Sequence, residues 1–366
     1  MKQKKIIIFM PSIEMGGVEK NLFIITNFLS FKFRDIRFIT SSNNTQSLNK
    51  NVNIVRNTFL SNLFKSRILK ILISSSLLIK ELLKDNDKEI IVFSFQANLY
   101  SILITKLFGK KIVVRLNSSP SGWLNNIFKK FIYKKILSFS DKIIVNSQEF
   151  KKQIQSDLKL KSICIYNPLD KQNIESKSNS KIKKPYRYKN SLKIINIGRL
   201  VDQKDHITLL KSINNIKSKI NLELIIIGQG KNKNKLVDYI KKNNLEKIVK
   251  IAGYKQNPYP YLKYSDLYIS SSIYEGLPNV LLEAITLKKF VISSDCPTGP
   301  KEILENGKGG ILFKTGSIKD LSNKILMYKK KKRSLIKKTN FAYYSLKKFD
   351  MKKNLNFYHE ILSKKN

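Results

Sequence analysis

The sequence predicts an α/β protein made of two doubly wound domains, each a parallel sheet covered by helices on both faces. Three observations predict it. Short apolar runs alternate with amphipathic stretches along most of the chain. Most of the short runs hold consecutive apolar residues rather than one at every second position, as expected of strands buried on both sides of a sheet. The alternation also comes in two blocks. Between them, 170–190 is polar, rich in Lys, Ser and Asn, lacks apolar periodicity and reads as a linker.

In the first block, 1–169, residues 6–9, 37–40, 90–95, 111–115 and 142–145 read as strands, each bounded by polar residues or glycine. Amphipathic stretches near 17–30, 60–84, 97–108 and 123–138 read as the helices between them. In the second block, 191–345, strands are expected at 192–197, 222–227, 249–252, 267–270, 290–293 and 310–313. Helices are expected near 205–217, 231–244, 258–264, 278–287, 300–306 and 317–340. A length of 366 residues suits two domains with sizeable cores.

With 70 Lys and Arg against 26 Asp and Glu, the formal charge is +44. Such a surface attracts polyanions: nucleic acid, anionic lipid or nucleotide substrates. Lys, Ile and Asn are all abundant and all have A/T-rich codons, so codon bias accounts for part of the excess. The basic residues are spread along the whole chain, and no RRM, KH, zinc or helix-turn-helix pattern occurs. A nucleic-acid partner is therefore not expected. Cys164 and Cys296 form no disulfide framework and fit a reducing compartment. The apolar run at 6–9 is too short for a secretory signal. No run approaches the ~18 uninterrupted apolar residues of a membrane span, so neither is expected.

Residues 275–283, Glu-Gly-Leu-Pro-Asn-Val-Leu-Leu-Glu, are the most informative stretch. Pro278 suits a first helical position, where its fixed φ fits and its missing N–H is no loss. Glu275 then lies just outside a helix and Glu283 on its second turn. The amides around Asn279 to Leu281 would point at a bound ligand. Carboxylates that only accept, beside bare amides, suit a ligand with many hydroxyls and a phosphate, such as a sugar nucleotide. Taken alone, two glutamates at this spacing recur by chance.

Other informative residues also fall in loops that follow strands, where open α/β sheets bind ligands. Gly16 and Gly17 follow the first strand and allow close backbone approach to an anion at a helix start. A simple turn is the commoner use of such a pair. The pattern is neither Gly-x-Gly-x-x-Gly nor a phosphate-binding P-loop. Gly198, Arg199 and Lys204 follow the first strand of the second block, before a helix capped by Asp205. Arg199 as a planar fork and Lys204 as a point charge are placed to clamp a diphosphate.

The combination of Gly16-Gly17-Val18-Glu19, Gly198-Arg199 with Gln203-Lys204, Ser271 through Glu283, and Asp295-Cys-Pro-Thr-Gly-Pro-Lys-Glu302 resembles the retaining glycosyltransferases of family 4. The resemblance spans about 5–345 and is strongest over 194–313. The stretch at 295–302 resembles members that build bacterial surface polysaccharides, capsule or lipopolysaccharide, on lipid carriers. It implies a GT-B fold, with two Rossmann-like domains facing a cleft and the segment at about 349–366 returning to the first domain as a helix.

The resemblance also implies roles. Arg199 and Lys204 would hold the donor diphosphate and stabilise the leaving group. Glu283 would bind the ribose. Glu275 and the backbone of Gly276, Leu277, Pro278, Asn279 and Val280 would orient the donor sugar, a hexose or N-acetylhexosamine. Gly198 belongs to the diphosphate loop, Gly253-Tyr254 would frame the base, and Gly16 and Gly17 would face the phosphates or the acceptor. The donor would be a nucleotide sugar, with UDP the expected nucleotide, and the acceptor a glycan or a polyprenyl-diphosphate lipid. No cofactor is implied, the nucleotide sugar being a substrate. Two fixed cations would stand in for Mg²⁺, so no metal is implied either. Retention in the family resembles a front-face displacement, so no protein nucleophile is named.

Many relatives carry an N-terminal-domain His at the donor sugar. Here the histidines are His206 and His359. The matching strand end is Arg115-Leu-Asn117, where Asn117 would take that place or Arg115 would assist. His206 reads as a helix-start residue and Cys296 as a packing residue. Finally, 123–137 places Trp123, Leu124, Ile127, Phe128, Phe131 and Ile132 on one side of a helix among lysines. That pattern fits both an interfacial membrane helix and a core helix with a basic outer face. Trp123, Phe128 and Phe131 are the candidate membrane contacts. Residues 60–84 are similar. A lipid acceptor implies an anionic membrane as partner and a cytoplasmic location on the inner face of the plasma membrane.

Overall fold

The computed structural model describes residues 4–14, 16–59, 66–84, 89–120 and 126–364. The chain divides into two compact units, 1–168 with 351–366, and 169–350. Trp123, Leu124 and the first residues of the expected helix at 60–84 lie outside the described residues.

Unit 1 contains strands β1 (Lys5–Phe9), β2 (Asp35–Ile39), β3 (Val52–Val55), β4 (Ile91–Ser94), β5 (Lys111–Arg115), β6 (Lys142–Val145) and β7 (Ile163–Cys164). They form one sheet in the order β3-β2-β1-β4-β5-β6-β7, with every pairing parallel. Its helices before the crossover are α1 (Gly17–Leu29), α2 (Arg67–Lys84), α3 (Asn98–Leu107), α4 (Ile127–Leu137) and α5 (Gln148–Leu158). Strand side chains alternate between faces, so β1 feeds two cores. Ile6 and Ile8 pack with Leu22, Ile25 and Leu29 of α1. Ile7 and Phe9 pack on the opposite side with Leu78 and Leu82 of α2, Ile102 of α3, Leu137 of α4 and Phe150 of α5.

Unit 2 begins with α6 (Lys171–Ser178) and contains β8 (Leu192–Ile197), α7 (His206–Ile216), β9 (Leu222–Ile227), α8 (Lys233–Lys242) and β10 (Val249–Ile251). It continues with α9 (Tyr259–Tyr264), β11 (Leu267–Ser270), α10 (Asn279–Thr286), β12 (Phe290–Ser294), α11 (Pro300–Ile303), β13 (Ile311–Phe313), α12 (Ile318–Lys331) and α13 (Ile336–Ser345). Its parallel sheet runs β10-β9-β8-β11-β12-β13. Ile194, Leu224, Ile269 and Ile292 of the sheet pack with Leu209 and Ile213 of α7 and with Leu321 and Ile325 of α12. The chain then returns to unit 1 as α14 (Met351–Ser363), whose Leu355, Tyr358 and Leu362 join the core on the α1 side.

Both units are therefore doubly wound parallel α/β sheets, the fold class the apolar pattern predicts. Several elements escape that pattern. Strands β3 and β7 are short edge strands that bury one side chain and none, so they carry no apolar run to read. In α5, Phe150, Ile154 and Leu158 are buried at helical spacing and Ser147 caps the start by accepting from the Phe150 N–H at 3.1 Å. That cap and spacing were readable, but the rest of α5 is polar. Residues 171–178 of the expected linker form α6, capped by Asp170 and burying Ile174 and Ser178. The single helix expected at 317–340 is two, α12 and α13. In the break, Lys332 reaches Asp266 at 2.8 Å and Leu335 turns into the core.

Candidate active site

In unit 2 the strand order reverses between β8 and β11, so the loops after these two strands lie side by side at the carboxyl end of the sheet, where doubly wound folds bind ligands. The first loop carries Gly198, Arg199, Gln203 and Lys204; the second carries Ser271 to Pro278. Hydrogen bonds lace the two together. The Ile273 N–H donates to the Gln203 carbonyl at 2.8 Å, and the Gln203 amide donates to the Tyr274 carbonyl at 2.9 Å. The Ser271 hydroxyl donates to the Lys204 carbonyl at 2.9 Å. Across this lacing, the Lys204 ammonium lies 2.5 Å from Glu275 Oε1.

Glu275 is buried and held from several sides. The same Oε1 accepts from the Ser272 hydroxyl at 2.6 Å, and the Glu275 N–H donates to the Pro297 carbonyl at 2.7 Å. Thr298, in the 295–302 stretch, donates its hydroxyl to the carbonyls of Glu275 and Gly276. Gly299 must be glycine here: its φ is +95°, and a Cβ would come within 2.5 Å of the Gly276 carbonyl oxygen. The first loop is equally tight, because a Cβ on Gly228 would fall 1.8 Å from the Gly198 carbonyl oxygen. The Lys204 stem lies against Gly198, while Arg199 is exposed.

Helix α10 starts one residue later than expected. Pro278 is its N-cap, with φ −71° and ψ 106°, and Asn279 is the first helical residue. Of the amides expected to point at a ligand, that of Leu281 donates to the Pro278 carbonyl at 3.1 Å. Glu283 sits on the second turn, buried, with its Oε1 accepting from the Tyr259 hydroxyl at 3.2 Å. Tyr268 of β11 is buried near both carboxylates; burial, then Glu275 and Glu283, push its phenol above the usual range. Gly253 has φ +70° after β10, and Tyr254 beside it is exposed. Ser272, Tyr259 and Thr298 hold these carboxylates and loops in place without having been expected at the site. Ser272 lies inside the quoted motif and was readable there; Tyr259 lies 24 residues from Glu283 with no local signal.

His206 is the first residue of α7, preceded by the Asp205 cap, whose carboxylate accepts from the Thr208 N–H. It is 2% exposed, and its Nε2 is buried with no hydrogen-bond partner among the described residues. Burial, then the Lys204 charge, lowers its pKa to about 4. Burial, then Glu275, pushes the Cys296 thiol up to about 12, so it stays protonated as a packing residue.

In unit 1 two expectations change. Arg115, expected near a sugar or acceptor, is 0% exposed. Its guanidinium donates to Tyr358 of α14 at 2.9 Å, to Asn167 at 2.6 Å and to Asn117, and it lies over the Phe95 ring. Turned inward with these donors engaged, it ties β5 to α14. Asn117 is half-buried, and its amide donates to the Phe95 carbonyl at 2.8 Å. At the start of α1, Glu19 caps the helix: its carboxylate accepts from the N–H groups of Gly16 at 2.9 Å and Glu14 at 3.2 Å. The Gly16 amide, expected to face a ligand, is thus taken by the chain itself; Gly17 is exposed. Phe128 and Phe131 of α4 are exposed. Among the described residues no group of three or more His, Cys, Asp or Glu could hold a metal. Among the same residues no helix is long and apolar enough to cross a membrane.

Residues 177–348 match the family model for glycosyl transferases group 1. That segment holds β8 to α13 and every unit 2 residue of the site. An uncharacterized glycosyltransferase of Methanocaldococcus jannaschii is 39% identical over 217 residues, 56% of this chain and 53% of the relative. A second relative is the N-acetylgalactosamine-N,N'-diacetylbacillosaminyl-diphospho-undecaprenol 4-alpha-N-acetylgalactosaminyltransferase of Campylobacter jejuni. It is 28% identical over 223 residues, 58% of this chain and 59% of that protein. The chain thus spans little more than half the length of these curated relatives. Among solved structures, Anabaena HepE in complex with UDP superposes with a TM-score of 0.76 at 17% identity, over 98% of this chain and 99% of its own. At that identity the likeness establishes the fold, a GT-B arrangement of two Rossmann-like units in one chain.

Proposed function

We propose that the protein is a retaining glycosyltransferase of family 4 that moves a hexose or N-acetylhexosamine from a UDP-sugar to a glycan or polyprenyl-diphosphate-linked acceptor. The product would be a cell-surface polysaccharide. The observation that carries the reading is the Lys204–Glu275 pair at the β8/β11 strand-order reversal. A cation and a carboxylate are fixed there by two laced loops, beside a glycine that lets a ligand's phosphates approach the backbone.

In this reading the donor diphosphate takes over Lys204, joined by the exposed Arg199, and Glu275 turns its oxygens to sugar hydroxyls. Glu283 accepts from the ribose, Tyr254 flanks the base, and the backbone from Gly276 to Val280 fixes the sugar. The bond from the anomeric carbon to the diphosphate breaks. The acceptor oxygen bonds to the same face of that carbon, and its proton passes to the departing diphosphate. Charge on the leaving group grows in the transition state, so fixed cations beside it lower the barrier without a divalent ion. The nucleotide sugar is a substrate and no cofactor takes part. HepE, crystallised with UDP, supports the nucleotide. The Campylobacter relative, named for a diphospho-undecaprenol acceptor, supports a lipid-linked acceptor. Such an acceptor would hold the enzyme at the cytoplasmic face of the plasma membrane, with an anionic membrane rather than nucleic acid as its partner.

The test is a panel of UDP-sugars with isolated lipid-linked oligosaccharides, read by mass spectrometry and by NMR of the new anomeric centre. Transfer that survives EDTA with retained configuration is expected. Inversion, or complete loss of transfer in EDTA, would overturn the reading.

A further inference from the structure

Helices α2, α3 and α4 lie side by side on one face of the unit 1 sheet, with α3 touching both neighbours. Each turns one stripe to the sheet and leaves another outside. On α2 the outer stripe is Ile68, Leu72, Ile79 and Leu83, spaced by whole turns and from 38% to 69% exposed. On α3 it is Tyr100, Leu103 and Leu107, the last 84% exposed, while Ile102 and Thr105 face the core. On α4 it is Ile127, Phe128, Phe131 and Ile132, and Leu137 is the buried residue of that helix. Apolar side chains gathered this way on one face mark an interaction surface.

Charge identifies the partner. No Asp or Glu lies between Glu89 and Asp141, so α3 and α4 carry cations and no carboxylate. Asp141 itself is engaged by Lys106 at 2.6 Å. The one carboxylate of α2, Glu81, is buried and paired with Arg37 and Lys84. Lys80, Lys84, Lys129, Lys134 and Lys135 stand exposed among the apolar stripes. A protein partner for so large an apolar face needs no uniform sign of charge. An anionic bilayer does: its headgroups attract each nearby cation, and its acyl region accepts the apolar side chains.

We propose that α2, α3 and α4 together form one docking face for an anionic lipid bilayer, with the outer stripe of α3 at its centre. This rests on the membrane reading above and extends it from one helix to three.

The test is flotation of the full chain with phosphatidylglycerol-containing vesicles and with phosphatidylcholine vesicles. The chain should float with the first alone at low salt. High salt should reduce but not abolish flotation, because apolar insertion is not screened. The variant Tyr100→Ser/Leu103→Ser/Leu107→Ser should lose the salt-resistant fraction at least fivefold, as should Phe128→Ser/Phe131→Ser. All five residues are exposed, so the fold does not depend on them. A reporter confirms the contact by gain of signal: Leu107→Trp in a Trp123→Phe background should shift its emission to the blue on adding anionic vesicles. If the α3 variant floats like the parent and the reporter does not shift, the three-helix face is wrong while membrane binding stands. If the parent does not float, membrane binding itself is wrong. If the parent is instead a dimer that the α3 variant splits, the face joins two copies of the chain, and the lipid proposal fails.

Discussion

In unit 2 the lysine that follows the first strand, Lys204, keeps 22% of its side chain exposed and meets one carboxylate in a loop. In unit 1 the arginine at the end of β5, Arg115, is fully buried, with Tyr358, Asn117 and Asn167 around it. Both are cations at the carboxyl end of a parallel sheet, the position from which such folds handle ligands. What separates them is the chain packed over each. The β8 loop is covered by a second loop that supplies Glu275 and Ser271, whereas β5 lies beneath a helix from the far end of the sequence that supplies a phenol. A cation at a strand end is thus a candidate ligand contact when loops surround it, and a structural pin when a helix closes over it.

This comparison breaks first at Lys204 and Arg199. Lys204→Ala and Arg199→Ala should each lower kcat/KM for the UDP-sugar by roughly 10²-fold or more, about 3 kcal/mol of transition-state stabilisation. Being exposed, Arg199→Ala should shift unfolding by less than about 0.5 kcal/mol. Kinetics and urea titration of the same preparation separate the two effects, and near-parental rates in both variants would remove the clamp. Arg115→Met should do the opposite. It leaves buried oxygens of Asn117, Asn167 and Tyr358 without their donor, at a cost of about 2–3 kcal/mol. Hydrogen exchange should quicken over Lys111–Arg115 and Met351–Ser363 while UDP affinity stays put; unchanged protection would show that the arginine is not a pin.

His206 offers a smaller contrast, a buried base behind the unit 2 loop. Its pKa falls to about 4 in the folded chain, against the ordinary 6.5 when unfolded. Below about 6.5 the unfolded chain takes up a proton that the folded chain refuses. The stability contributed above that pH is therefore lost as pH drops from about 6.5 toward 4. A loss on the order of 2 kcal/mol is expected between pH 7.5 and 4.5, and His206→Gln should flatten it. Equal slopes in the two proteins would count against a buried neutral imidazole. The smallest effect separates the two glutamates. Glu283→Ala should weaken UDP binding about tenfold, some 1.4 kcal/mol, because ribose contacts are alike in ground and transition states. Glu275→Ala should lower kcat without loss of UDP affinity, since it releases Lys204. Calorimetry with UDP decides; the reverse pattern would exchange their roles.

Much of this was legible in the chain. Continuous apolar runs such as 6–9 and 224–227 bury on both faces, so they specify parallel strands without further context. The residues of the unit 2 loops are local in sequence and adjoin strands that pair across the order reversal, so Lys204 and Glu275 could be named together. Edge strands β3 and β7 and the polar helix α6 were hidden because each buries too few side chains to set a period. The inward turn of Arg115 was hidden because nothing near it in sequence announces Tyr358, 243 residues away. The exposure of α3 was equally invisible. Tyr100, Leu103 and Leu107 have the spacing of any buried stripe, and only the packing of Ile102 and Thr105 against the sheet leaves them facing out. Periodicity reveals that a helix has an apolar side. Which side meets the core, and which cation meets solvent, depends on partners that are distant in the chain and adjacent only once it has folded.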